Sequence, residues 1–249
     1  MPFKFYYAHV RARGSVQRYV LDHSGANWEE IDVWQDKCSF MQELPKWQEK
    51  YGKFVSNFWL EDLETGLTYF STMPILVFLG EKFGYLGKNE EDKNQILAAV
   101  DKLTELREAF LNGQQISPGN QNLKTLLNIT IPSHLKMYEQ QLIDNATKFL
   151  FCDTKLSIAD FYLFSLLHTL QDWKPDVLNN FPKIAEFYKN MLLDEKIRER
   201  HEKEKQIPWV SAGNVAFYLG KMMGKEVKKE DVGKFYGWGY DLDHMKPAF

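Results

Sequence analysis

Residues 6–18, YYAHVRARGSVQR, bring two phenols, three guanidiniums and a helix start into one short stretch. Tyr6 and Tyr7 close a β-rich run that begins at Phe3, and Arg11, Arg13 and Arg18 then gather around Gly14 and Ser15. Two readings of this pattern stand side by side. One is ordinary packing, with Tyr7 a strand-end core residue and Arg11 and Arg13 solvated. The other is chemistry: positive charge and the N-terminal end of a helix converge on an anion site, with a phenol aimed into it.

The elements that would position these groups follow from periodicity. FKFYYAHV is a strand by its aromatic content, and GSVQRYVLDHSG is a helix stopped by Gly25. NWEEIDVW returns as a strand, and NFWLEDLETGLTYF has two apolar arms around Glu64-Thr65-Gly66, a hairpin signal. STMPILVFLGEKFGYLG then opens a helix with Ser71 and Thr72 as candidate N-caps and Pro74 in its first turn. The first ~85 residues therefore read β-α-β, an irregular stretch, then β-β-α.

From Glu90 to about Lys205 the pattern changes to helix after helix. EEDKNQILAAVDKLTELREAFLNG places Ile96, Val100, Leu103 and Phe110 at helical spacing, a second helix follows, and a third starts after Pro132. LSIADFYLFSLLHTLQDW is almost wholly apolar and is expected as the central buried helix, with Ser157 and Asp160 as its capping box. FPKIAEFYKNMLLDEKIRERHEKEK is amphipathic and dissolves into charge. The expected boundary lies near residues 84–89, giving units of 1–84 and 90–205. Residues 206–249 add Trp209, Phe217, Tyr218, Phe235, Tyr236, Trp238, Tyr240 and Phe249, too aromatic for a disordered segment and expected to pack on something.

Composition narrows the function classes. The 249 residues are 44% apolar and 26% charged, with a net charge of −3, so neither nucleic acid nor an anionic membrane is an expected partner. No signal sequence and no run of ~20 apolar residues appears. Cys38 and Cys152 are far apart and in no metal-ligand spacing, which fits a reducing, cytoplasmic setting. His9 and His23 are isolated and His168 sits in an apolar helix, where a satisfied core histidine is the expectation; no metal is expected.

The order and spacing of three segments resemble the cytosolic glutathione transferases. KFYYAHVRARGSVQRYVL resembles the first strand and helix of the mu, pi and sigma classes. STMPILVFLGEKFGYLGKNEEDK resembles the family's segment after the hairpin, and LSIADFYLF resembles its central-helix capping box. The resemblance implies an α/β thioredoxin-like N-terminal domain, an all-α C-terminal domain, a homodimer, and glutathione as co-substrate.

It also implies roles. Tyr7 falls on the catalytic tyrosine, whose phenol donates to the glutathione sulfur and favours the nucleophilic thiolate. Arg13 adds positive field. Ser71 and Thr72 fall on the pair that holds the γ-glutamyl group, at a helix N-terminus able to bind a carboxylate. Trp47 with Lys50 or Lys53 takes the glycyl carboxylate, and Glu105 the neighbouring subunit's glutathione amine. Val10, Phe110 and Leu111 line the pocket for a hydrophobic electrophile, and a sigma-type isomerase activity belongs to the same class.

One departure stands out. The family carries a cis-proline before its third strand, and this chain has Asn57-Phe58 there, with no proline between Pro45 and Pro74. A non-proline cis bond costs about 3 kcal/mol, so Phe58 is expected trans and glutathione binding is expected to be weakened. This departure and the aromatic extension support an alternative: a non-catalytic subunit of the same fold, docked into a larger assembly through residues 206–249.

Overall fold

The computed structural model describes residues 2–33, 40–56, 58–114, 124–152 and 154–207. The aromatic run becomes β1 (Pro2–Tyr7) and Gly25, at φ 72°, ends α1 (Ser15–Ser24). β2 (Asn27–Asp32), α2 (Phe40–Tyr51), β3 (Trp59–Asp62), β4 (Leu67–Phe70) and α3 (Thr72–Phe83) follow. The sheet order is β2-β1-β3-β4. β1 and β2 run parallel, with Tyr7 opposite Asp32, and β3 pairs antiparallel with both β1 and β4. Alternation along β1 buries Phe3, Phe5 and Tyr7 on one face.

Helices make up the rest: α4 (Glu90–Gln114), α5 (Ile131–Asn145), α6 (Ile158–Trp173), α7 (Pro182–Met191) and α8 (Glu195–Glu204). The architecture is a thioredoxin-like α/β unit joined to a helical unit. α6 is buried from Ile158 to Leu170, as its composition requires. Its capping box is complete: Ser157 Oγ accepts from the Asp160 backbone N–H, and Asp160 Oδ2 accepts from Ser157 N–H at 2.7 Å. The other Asp160 oxygen accepts from Leu150 N–H at 2.8 Å, which ties the preceding loop to the helix start. Among the described residues, no helix is long and apolar enough to cross a membrane.

Four expectations change. Pro132 does not divide two helices. The chain widens to a five-residue π segment (Leu126–Thr130), in which Ile131 N–H reaches back to Leu126 O, and the helix continues through the proline. The wider turn absorbs the missing donor; Ser133 Oγ donates to Ile129 O at 2.6 Å and His134 Nδ1 to Thr130 O at 2.9 Å. Ser71 does precede α3, but neither it nor Thr72 caps it through the side chain; Ser71 instead holds φ 71°, a left-handed conformation costly for a residue with a Cβ. The charged segment after Phe181 forms two helices, and α8 does not dissolve into solvent, since Ile197, Arg200, His201 and Glu204 are buried against the first unit. The aromatic extension from 208 onward, and Asn57, lie outside the described residues.

The contact between α1 and α8 is ionic and buried. Arg18 is fully enclosed, paired with Glu30 on β2 and 3.6 Å from Glu204 on α8, and donates to the Ala8 and Val10 carbonyls at 3.1 and 3.0 Å. Ser15 Oγ donates to Glu204 at 3.0 Å and Arg200 Nε to Asp22 at 2.7 Å. Arg11 is buried as well, held by Ile207 O at 2.8 Å, His168 Nε2 at 2.9 Å and Asp172. A guanidinium has no acceptor, so His168 Nε2 must accept and the proton sits on Nδ1. That excludes the imidazolium. Burial first, then Arg11, depress His168 to about 2, and burial depresses the adjacent His201, 4.1 Å away ring to ring, to about 4.

Two outcomes follow from this packing. Ser157→Ala should cost about 1 kcal/mol in denaturant unfolding by removing the cap acceptor. Histidines depressed on folding are neutral in the native state and titrate near 6.5 when unfolded, so the unfolded chain binds more protons below that value. Stability should therefore fall as pH drops from about 6.5 towards 4, with His201 alone worth on the order of 3 kcal/mol. His201→Phe should flatten that part of the pH profile.

Candidate active site

Tyr7 ends β1 and meets α1 almost at once. Its ring stacks on Phe5 with centroids 5.7 Å apart, and Phe58 packs edge-on at 5.2 Å. The opposite side is closed by Gly14, where a Cβ would fall 2.5 Å from the ring. Gly14 has ordinary helical dihedrals, φ −82° and ψ −14°, so glycine is required here by space and not by conformation. The Arg18 guanidinium lies 5.4 Å from the Tyr7 ring centroid.

These surroundings keep the phenol protonated. Burial raises its pKa above the ordinary 10; Arg18, a backbone hydrogen bond from Gly14, Arg107 and Arg13 pull it down by less. A phenol that holds its proton at neutral pH, beside three cations, is a donor suited to an anionic sulfur or oxygen.

Arg13 points outward and pairs with Glu108 at 2.9 Å, with its side chain 45% exposed. The deep cations are Arg18 and Arg107, neither of them expected from the sequence. Arg107 is 5% exposed and sits 5.6 Å from the Tyr162 ring centroid. Its Nη2 donates to Glu108 at 2.8 Å, on the oxygen that also accepts from Arg13.

The expected glutathione groups divide between faces. Thr72 is buried at the start of α3 and Ser71 precedes it in its left-handed conformation, its N–H 3.4 Å from Phe58 O. That Phe58 oxygen also accepts from Ser56 Oγ at 2.8 Å, so it is already engaged. No cis peptide occurs among the described residues; the bond before Phe58 involves Asn57 and lies outside them. Trp47 packs on Trp59, centroids 4.2 Å apart, and with Lys50 lines a shallow cavity of about 270 Å³ shared with Tyr51, Asp62 and Thr68. Lys53 is exposed. Glu105 lies on the outer face of α4, bound to Lys102 at 2.7 Å.

Phe110 and Leu111 do line a common cavity with Arg11, Ala12, Arg107 and Tyr162, but it holds only about 20 Å³. Val10 is buried in the core and is not among its lining residues. A larger cavity, about 450 Å³, lies between residues 87–96 and 145–157 and includes Cys152, a free thiol. None of the expected site residues borders it. No group of three or more potential metal ligands occurs among the described residues.

Similarity to known proteins points the same way. A family model described as glutathione S-transferase, C-terminal domain, matches residues 101–204. Glutathione S-transferase P 1 of Xenopus laevis is 26% identical over 78% of this chain and 88% of its own length. A class-mu glutathione S-transferase of Fasciola hepatica is 26% identical over 88% of this chain and 97% of its own. Two solved structures share the fold: prostaglandin synthase D of Nilaparvata lugens (TM-score 0.63, 23% identity, 82% of this chain and 98% of that one) and a Nu-class transferase from Haemonchus contortus (TM-score 0.66, 18% identity, 82% and 97%). With the sheet order and the capped central helix, these matches identify residues 101–204 as a glutathione S-transferase C-terminal domain and make the chain similar over most of its length to the cytosolic glutathione S-transferases.

Proposed function

We propose that this protein conjugates the glutathione thiolate to small hydrophobic electrophiles, with Tyr7 as the group that donates to the sulfur. The observation that carries the reading is the setting of Tyr7: a protonated phenol walled by Gly14, beside Arg18 and Arg107. Such a donor stabilises sulfur charge without giving up its own proton, and so raises the fraction of thiolate at neutral pH. Thr72 and the start of α3 hold the γ-glutamyl end, Trp47 and Lys50 serve the glycyl end, and Arg13 adds field at the rim.

A homodimer is part of this reading. Phe54 is 98% exposed and Ile129 60% exposed, and a second copy that covered them would recover about 25 cal/mol per Å² of apolar surface. Glu105, on an exposed face of α4, is then available to the neighbouring subunit's ligand. Units of 1–84 and 90–205, a cytoplasmic location and an extension at 206–249 that docks a protein partner complete the proposal.

The enclosure of Tyr7 favours a second reading. Phe58 stands edge-on against the phenol, and the phenol side chain is buried. A subunit that kept the fold and lost turnover would tolerate that; an enzyme must move Phe58 to admit the sulfur.

Tyr7→Phe separates them. In an enzyme the variant should lose about 10- to 100-fold in conjugation turnover while glutathione affinity measured by calorimetry changes little. The thiol pKa rises without the donor, so the rate–pH curve should move to higher pH. Unchanged turnover and an unchanged curve would leave the phenol structural. Gly14→Ala should displace the Tyr7 ring, lower stability by about 1–3 kcal/mol and lower conjugation with it.

A further inference from the structure

The cavity of about 450 Å³ between residues 87–96 and 145–157 lies apart from the Tyr7 site, and the polar groups on its wall are unevenly used. Some are spent inside the protein: Asn145 Nδ2 donates to Leu150 O at 2.7 Å, Thr147 Oγ1 to Phe149 O at 2.6 Å, and Ser157 Oγ to Asp160 at 2.6 Å. Asp92, the carboxylate among the described lining residues, accepts from the Lys88 backbone N–H at 2.8 Å. Lys88 and Lys155 also line the cavity, and among the described residues neither ammonium has a hydrogen-bond or ion-pair partner. Two ammoniums against one carboxylate leave this wall with one positive charge in excess.

Cys152 faces the same space as a half-buried free thiol, with Sγ 3.5 Å from Thr154 Oγ1. Hydrogen bonds from the Thr154 backbone and hydroxyl come first; with the Lys155 backbone and the charge of Lys88 they hold the thiol below its ordinary value in spite of partial desolvation. Only the thiolate attacks, so a thiol so placed is a ready nucleophile near neutral pH. The sulfur does not stand alone. It shares one wall with two unanswered cations, in a volume within the roughly 300–1,000 Å³ of small-molecule sites. That combination suits a ligand that carries carboxylates and a sulfur of its own.

We propose that this cavity binds a low-molecular-weight disulfide bearing carboxylates, and that Cys152 exchanges with it to form a mixed disulfide. Lys88 and Lys155 receive the carboxylates, and the Cys152 thiolate attacks one ligand sulfur. The ligand's S–S bond breaks as the new S–S bond forms. Cys152 is oxidised, and the other half of the ligand is reduced, leaving as a thiolate that takes up a proton from water. The loop that carries Cys152 is tied to α6 through Leu150 N–H and the Ser157–Asp160 box, so the adduct sits at the start of the central helix.

The test is mass spectrometry of the full chain, with peptide mapping to separate Cys152 from Cys38, during incubation with glutathione disulfide or with hydroxyethyl disulfide. The first probe carries carboxylates and the second is neutral. In the Lys88→Gln/Lys155→Gln variant the glutathione adduct at Cys152 should form about ten-fold more slowly, with the hydroxyethyl adduct within about two-fold of the wild-type rate. Each single substitution should slow the glutathione probe selectively as well, so the test survives if the double variant fails to fold. Equal slowing of both probes would overturn the proposal, since the lysines would then act on the thiol and not on the ligand. An adduct confined to Cys38, or a glutathione rate at Cys152 indifferent to both lysines, would overturn it too. Tyr7→Phe should leave the Cys152 rate unchanged, which keeps this result separate from the conjugation reading.

Discussion

Arg18 is the constraint on which the rest of the molecule turns. A guanidinium removed entirely from water must have its charge answered and its donors filled, because desolvation costs several kcal/mol that only close partners offset. Here the partners come from four places: the loop after β1 through Ala8 and Val10, strand β2 through Glu30, and helix α8 through Glu204. The fourth is the Tyr7 ring, whose face lies near the guanidinium. The interface between the two units and the placement of the candidate donor are therefore one problem with one solution. A shift of α8 exposes Glu204, unpairs Arg18 and loosens the carbonyls that fix the chain directly after Tyr7.

Local signals in the sequence were sufficient where the physics is local. The Ser157–Asp160 box, the Gly25 stop, the turn at Glu64-Thr65-Gly66 and the aromatic run of β1 each depend on residues a few positions apart, and each appears in the structure as the pattern requires. Pro132 shows the limit of a local rule: its missing N–H is absorbed by a π turn that the residue pattern does not announce. The arginines show a deeper limit. Sequence assigns the field at Tyr7 to Arg13, yet Arg13 is at the surface and Arg18 and Arg107 are enclosed. Whether an arginine is solvated depends on acids and carbonyls supplied from far along the chain, as Glu204 and Ile207 are for Arg18 and Arg11. No window of a dozen residues contains that information. The basic-acidic run of α8 misleads for the same reason, since its charges are matched across an interface and not by water.

Phe58 sets a second tension. An aromatic at this position fills the space beside Tyr7 and adds an edge-to-face contact, which favours the closed arrangement. The same contact has to open before a sulfur can reach the phenol. Ser71, held at φ 71°, lies across from it with its N–H towards Phe58 O. A strained residue persists only when its surroundings over-determine it, and here the strain lies at the start of α3. Packing and strain thus meet at Phe58 and Ser71, beside the phenol.

Three of the enclosed arginines, Arg11, Arg18 and Arg107, can be compared as a set, and the comparison is informative because their chemistry is identical. Arg18 and Arg11 have every guanidinium nitrogen engaged by carbonyl, carboxylate or imidazole. The fold can therefore saturate a buried guanidinium when saturation serves stability. At Arg107 it does not, although Ser165 and Thr169 stand in the same cavity wall with hydroxyls that turn to their own helix carbonyls. Their preference for the backbone leaves Arg107 Nε and Nη1 without a hydrogen-bond partner among the described residues. A residue placed only for packing would sit better there as methionine or leucine, at no desolvation cost. Its charge is answered by Glu108 through one nitrogen and by the face of Tyr162, and the two donors left over go with a cation placed where it contributes to the field at Tyr7.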